Sequence, residues 1–157
     1  MILAGDIGGT KTLLALFDDD LHPQREEVYP SQQFSAFEAV LQSFLASGPK
    51  VTIDAACIGV AGPVIEGESR TTNLPWVLDE RKLADRLGTE RVKLLNDLEA
   101  IAVGILHARP EEFLTLGRDG LSAPKGNMAV IAAGTGLGEA VMCWDGERHH
   151  PLPSPGR

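Results

Sequence analysis

The feature that most constrains this chain is a glycine-dense turn between two apolar runs at its start, Gly5-Asp6-Ile7-Gly8-Gly9-Thr10. Residues 2–5 and 12–17 each read as a short β-strand, and Asp18-Asp19-Asp20 reads as a turn. Residues 27–29 add a third strand before Pro30. This order predicts an antiparallel hairpin at the opening of the fold. The segment fails the P-loop pattern, because Thr10 rather than glycine precedes Lys11. A P-loop also opens a helix, whereas residues 12–17 read as a strand. Two readings stand at this point: an ordinary hairpin turn, or a turn whose backbone N–H groups face a phosphate. In the second, Gly8 and Gly9 supply positive φ and close approach. Asp6 then points a carboxylate at the metal that accompanies phosphates.

The next segment is helical. Ser35 and Glu38 form a capping-box pattern, and Phe37, Val40, Leu41, Phe44 and Leu45 fall on one face. Gly48-Pro49 stops that helix. Residues 51–61 are mostly apolar, which suits a strand buried on both faces. Asp79 is the expected N-cap of a second helix, with Leu78 and Leu83 as a hydrophobic staple and Gly88 at its end. Residues 91–95 read as a strand. Asn96-Asp97-Leu98-Glu99 opens a third helix that runs to about His107 or Ala108. Residues 117–127 hold three glycines and a proline, as a surface loop or a passage between lobes. Residues 128–133 read as a strand, Gly134-Thr135-Gly136-Leu137-Gly138 as a tight turn, and residues 140–144 as the returning strand. Strands first, then strands alternating with helices, predict an α/β fold with a mixed sheet.

The second glycine turn is not the dinucleotide fingerprint. Its third glycine follows the second by two residues, and a strand rather than a helix comes next. Asp97 lies between the two turns at the start of a helix, where the helix N-terminus stabilises an ionised carboxylate. It either serves only that terminus or accepts a proton from a substrate hydroxyl. Asn96 is either the N-cap or a donor and acceptor for a sugar hydroxyl.

The 157-residue length suits one domain, or one domain and part of another. Fourteen Lys and Arg against 22 Asp and Glu leave a net charge of −8. That balance argues against a nucleic-acid partner and against an anionic membrane surface. Cys57 and Cys143 are too few to make a zinc site, and both sit in apolar runs as expected core residues. The first apolar run stops at Asp6, and no run approaches the roughly 20 residues that span a bilayer. A soluble cytoplasmic protein is the expectation.

Several motifs in one order carry a resemblance. They are Leu3-Ala4-Gly5-Asp6-Ile7-Gly8-Gly9-Thr10, Gly59-Val60-Ala61-Gly62-Pro63-Val64, Thr72-Asn73-Leu74-Pro75-Trp76, Leu95-Asn96-Asp97-Leu98-Glu99-Ala100 and Gly134-Thr135-Gly136-Leu137-Gly138. Together they resemble the N-terminal portion of bacterial glucokinases, in the actin-like, ribonuclease-H-like ATPase superfamily. ROK kinases usually carry Glu-Asn-Asp where this chain has Leu95-Asn96-Asp97, together with a cysteine-rich zinc motif, so the resemblance is to the non-ROK group. It implies ATP-dependent phosphorylation of glucose to glucose 6-phosphate, with Mg2+. It implies that Asp97 is the general base, that Asn96 contacts the sugar and that Asn73 borders the sugar cleft. Gly5, Asp6, Ile7, Gly8, Gly9 and Thr10 would hold ATP phosphates, as would Gly134, Thr135, Gly136 and Gly138. Asp6 would hold Mg2+ through water. Trp76 is expected in the core.

The resemblance also implies two lobes. Residues 1–110 form a small α/β lobe with the first phosphate loop and Asp97, and residues 111–157 start the second lobe. It allows a homodimer in full-length members. Such members continue to Ser-Glu-Gly-Gly-His, whose Glu and His bind the sugar, whereas this chain reads Pro153-Ser154-Pro155-Gly156-Arg157. The expectation is a truncated form, weak or inactive alone. His149 and His150 precede the expected motif and are expected to be solvent-exposed. The alternatives are a kinase for another hexose or an amino sugar, and a non-catalytic remnant that binds sugar or nucleotide.

Overall fold

The computed structural model describes residues 1–116, 125–133 and 137–152. The chain forms two compact units, Met1–Asp97 and Leu98–Arg157.

The first unit opens with strands β1 (Ile2–Ile7), β2 (Lys11–Phe17) and β3 (Pro23–Pro30). Helix α1 (Phe37–Ala46) and strand β4 (Ala55–Val60) follow. Three short strands come next, β5 (Val64–Ile65), β6 (Glu68–Arg70) and β7 (Val77–Asp79). Helix α2 (Glu80–Leu87) and strand β8 (Val92–Asn96) complete it. The five-stranded sheet has the order β3-β2-β1-β4-β8. Strand β2 runs antiparallel to β1 and β3, whereas β1, β4 and β8 are parallel. The opening hairpin and mixed α/β sheet expected from the sequence are present.

One face of that sheet makes the core. Leu3, Ile7, Leu14, Leu16, Ile58, Val60 and Leu94 pack with Phe37, Val40, Leu41 and Phe44 of α1. Arg25 on β3 stacks over the Phe44 ring at 4.0 Å and donates from Nη2 to the Phe44 carbonyl at 2.6 Å, near the end of α1. Trp76 is buried, as expected, and its indole N–H donates to the Phe34 carbonyl at 3.1 Å. The Asp79 carboxylate caps α2 by accepting from the backbone N–H groups of Arg81 and Lys82. Gly88 ends α2 in the left-handed conformation, φ 71°.

Other expectations need correction. The N-cap of α1 is Ala36, with no side-chain cap, so the Ser35–Glu38 capping box does not form. The β4 strand covers only part of the apolar run 51–61 and is not buried on both faces. Its alternate residues Ala56, Ile58 and Val60 face the core, while Cys57 is exposed. Cys143 is half-buried, so neither cysteine is a fully buried core residue. The small sheet β5-β6-β7 has no counterpart in the sequence reading.

The second unit contains helix α3 (Asp97–Ile105, whose first residue ends the first unit) and strands β9 (Met128–Ala133), β10 (Leu137–Trp144) and β11 (His149–Leu152). The three strands form an antiparallel sheet. Val130, Ala140 and Met142 pack against Ala102 of α3, with Leu98 and Ile105 at the margin. His149 and His150 belong to β11; His149 is half-buried rather than solvent-exposed, whereas the His150 side chain keeps 42% of its surface exposed. His149 Nε2 lies 2.8 Å from the Gly126 carbonyl, and His150 Nε2 lies 2.6 Å from the Asp145 carboxylate.

Candidate functional site

The parallel strands of the first unit end together. Ile7 pairs with Val60, and Val60 pairs with Asn96, so β1, β4 and β8 finish side by side. Ligands of open α/β sheets bind outside the carboxyl ends of strands. Gly8-Gly9-Thr10 leaves the first end, Ala61-Gly62 the second and Asp97 the third. Register therefore collects sequence motifs that are far apart in the chain.

The opening glycine segment divides by role. Gly5 is within β1, where a Cβ would stand 3.0 Å from Leu14 Cδ2 and 3.3 Å from Ile58 Cγ2, so this glycine serves packing. Ile7 is a core residue. Asp6 is on the other face, outside the core, with its carboxyl partly withdrawn from water. Gly8, Gly9 and Thr10 make the turn, closed by the Gly8 N–H donating to the Lys11 carbonyl at 2.9 Å. Neither Gly8 nor Gly9 adopts positive φ, contrary to expectation. Close approach is what they supply: a Cβ on Gly9 would meet Asn73 Cβ at 2.8 Å, and one on Gly8 would meet the Lys11 carbonyl at 3.1 Å.

A buried pair beneath the turn escaped the sequence reading. Thr12 and Ser31 are both fully buried, and their hydroxyl oxygens are 3.0 Å apart. The Ser31 hydroxyl donates to the Gly8 carbonyl at 2.9 Å, and the Ser31 N–H donates to the Thr10 carbonyl at 3.0 Å. The turn is thus held from below at two carbonyls. Its only sequence signal is a pair of small hydroxyl residues beside strand ends.

Asn96 and Asp97 are half-buried at the junction of β8 and α3. The Asn96 side-chain amide donates to the Gly62 carbonyl at 3.0 Å. Gly62 has φ 152°, and a Cβ there would lie 3.2 Å from the Arg70 carbonyl. The Asp6 carboxyl titrates above the usual carboxylate range, first because burial removes water and then because Asp97 adds negative charge. Asp6 and Asp97 therefore share one electrostatic neighbourhood. Among the described residues, no group of three or more His, Cys, Asp or Glu could hold a metal. Mg2+ keeps several waters and needs only one or two carboxylates beside phosphate oxygens, so this pair fits it.

Asn73 is exposed at the Gly9 contact, beside a seam of Ile7, Gly8, Ala61 and Thr72 packed too closely to admit a water molecule. A wider groove runs along β5–β7, and several of its charges are engaged: Arg70 pairs with Glu68, Glu80 with Lys93, and Asp79 caps α2. Of the second glycine turn, Gly134, Thr135 and Gly136 lie outside the described residues. Leu137 and Gly138 belong to β10, where a Cβ on Gly138 would meet Leu98 Cδ2 at 2.8 Å.

A family model described as Glucokinase matches residues 3–157. The chain belongs to the glucokinase family. It is 38% identical to a glucokinase from Nostoc sp. over 164 aligned positions, covering 99% of this chain and 47% of the relative. It is 36% identical to a glucokinase from Synechocystis sp., covering 98% of this chain and 47% of the relative. The chain thus spans about half the length of these glucokinases. A glucokinase structure from an Antarctic psychrotroph superposes with a TM-score of 0.83 at 26% identity, over 99% of this chain and 50% of that one. A ROK family glucokinase from Streptomyces griseus, in complex with glucose and AMPPNP, shares the fold at a TM-score of 0.62 and 23% identity, over 99% of this chain and 46% of that one. The fold is the one these sugar kinases share, that of the actin-like ATPases.

Proposed function

We propose that this glucokinase-family chain carries the sugar-side half of an ATP-dependent glucose kinase site, yielding glucose 6-phosphate. The observation that supports this most is the meeting of Gly8-Gly9-Thr10, Asn96 and Asp97 at adjoining strand ends. In this reading Asp97 is the general base. The O6 lone pair of glucose attacks the γ-phosphorus, the bond to the bridging oxygen of the leaving ADP breaks, and the O6 proton passes to the Asp97 carboxylate. Such a base contributes about 10²–10⁴-fold. Asn96 and Asn73 orient the sugar, and fixing O6 in line with phosphorus supplies much of the remaining acceleration.

The central residues of the first turn, Gly9 and Thr10, offer backbone N–H groups to phosphate oxygens, and Gly5, Asp6, Ile7 and Gly8 shape that turn. Gly134, Thr135, Gly136 and Gly138 are assigned to phosphate as the second loop. Asp6 would hold Mg2+ through water, and the ion would neutralise phosphate charge when bound. Residues 1–110 are read as the first lobe and residues 111–157 as the start of the second. The test is calorimetry of the chain with glucose and with ATP–Mg2+, alongside a coupled assay against glucose, mannose and N-acetylmannosamine. Glucose binding lost in Asn96→Ala supports the reading. A preference for another sugar moves it to that substrate, binding without turnover favours a binding role, and no glucose binding overturns it.

A further inference from the structure

The loop between β6 and β7 touches both sides of the candidate site, and one hydroxyl closes it. Thr71 Oγ1 donates to the Leu74 carbonyl at 2.9 Å and has the Trp76 carbonyl at 3.3 Å. The Thr71 N–H donates to the same Trp76 carbonyl at 3.2 Å. Leu74 and Trp76 are anchored in the core. The loop is therefore pinned at its base, while Asn73 at its tip is exposed.

Two glycine contacts dock on this pinned segment. Asn73 packs on the backbone of Gly9, where a Cβ would approach to 2.8 Å. At the other end, the Arg70 carbonyl packs on Gly62, where a Cβ would approach to 3.2 Å. Gly62 in turn accepts the Asn96 amide. One short segment thus touches the phosphate turn directly and reaches the sugar-side asparagine through Gly62. Without a side chain at Gly9 or Gly62 these contacts run to the backbone, which cannot rotate away as a side chain can.

We propose that Thr71 is a positioning residue: by closing the 71–76 loop, it sets Asn73 and Asn96 relative to the phosphate turn at Gly9. This rests on the kinase reading for what those residues bind, but the brace is a statement about geometry. It has an unusual consequence. A substitution in the phosphate turn should weaken glucose binding even with no nucleotide present, because Gly9 and Asn73 cannot move independently.

The experiment compares Thr71→Val, which removes the hydroxyl at nearly constant shape, with Thr71→Ser, which restores it, and adds Gly9→Ala. In 15N-labelled protein without ligand, Thr71→Val should shift the Gly9 backbone amide and the Asn73 and Asn96 side-chain amides. Thr71→Ser should return them to wild-type positions. Calorimetry with glucose alone should show about a tenfold weaker dissociation constant in Thr71→Val and in Gly9→Ala, with recovery in Thr71→Ser. Unmoved Gly9 and Asn73 signals in folded Thr71→Val overturn the proposal, as does unchanged nucleotide-free glucose affinity in Gly9→Ala. Should the valine variant not fold, Thr71→Ala takes its place, with the same readouts and the same overturning results. A wild type that shows the ligand-free shifts on Thr71→Val but binds no glucose counts against the kinase reading and leaves the brace standing.

Discussion

The side-chain amide of Asn96 donates to the backbone carbonyl of Gly62 at 3.0 Å, tying the end of β8 to the end of β4. A carbonyl partner accepts and never donates, so this bond fixes which way round the amide sits. Gly62 is held at φ 152° beneath the Arg70 carbonyl. Gly62→Ala should cost about 1–3 kcal/mol, the usual cost of a strained backbone position. Urea denaturation measures that loss, and the Asn96 side-chain amide signal should move with it. An alanine variant with wild-type stability and an unmoved signal would show that the glycine is not required.

Asp97→Asn removes the proposed proton acceptor while keeping shape. In any active form carrying this site, kcat should fall about 10²–10⁴-fold with little change in KM for glucose. A second readout needs no activity. Removing the Asp97 charge takes away one of the two causes that raise the Asp6 pKa, so the Asp6 carboxyl should titrate lower in the variant. Carbon-detected NMR titration of Asp6 reads this directly, and an unchanged Asp6 titration would deny that the two carboxylates interact.

Opposite pH signs are expected at Asp6 and Asp79. Asp6 has a raised folded pKa, so its contribution is fully present below the ordinary carboxylate range and is lost as pH rises through the folded value. Asp79 is held low, first by the backbone N–H of Lys82 and further by that of Arg81. Its contribution is present above the ordinary carboxylate range and is lost as pH falls through the folded value. Thermal melts of Asp6→Asn should therefore gain on wild type as pH rises through the Asp6 transition. Melts of Asp79→Asn should be lower than wild type at neutral pH and converge on it under acid conditions.

Ser31→Ala should destabilise by about 1–3 kcal/mol, because it strips partners from the buried Thr12 hydroxyl and the Gly8 carbonyl. Denaturant midpoints measure it. The double variant with Thr12→Val should recover part of the loss, since it removes one of the stranded polar groups.

Local signals were legible in the sequence and distant partners were not. Asp79 and Gly88 announce α2 because capping is read within one turn of chain. The strand Met128–Ala133 is legible because its apolar run is bounded by turn residues. Strands of two or three residues, such as Val64–Ile65 and Glu68–Arg70, are too short to show a period. Cys57 misleads because an apolar run without alternation does not say which face is covered. Ser31 and Thr12 meet only because β3 pairs with β2 and the chain turns back under Gly8. Of the candidate site, the motifs at Gly8-Gly9, Asn73 and Asn96-Asp97 could be seen in sequence. The Gly62 and Gly9 contacts that join them depend on strand register and on space that only the fold reveals.

The ends of β1, β4 and β8 are proposed as the sugar side of a kinase site. Glucose titrated into the 15N-labelled chain, with amide signals followed by NMR, tests it most directly. Saturable shifts are expected, concentrated at Asn73, Asn96 and Asp97 and abolished by Asn96→Ala. Shifts clustered elsewhere, or none at saturating glucose, would contradict it.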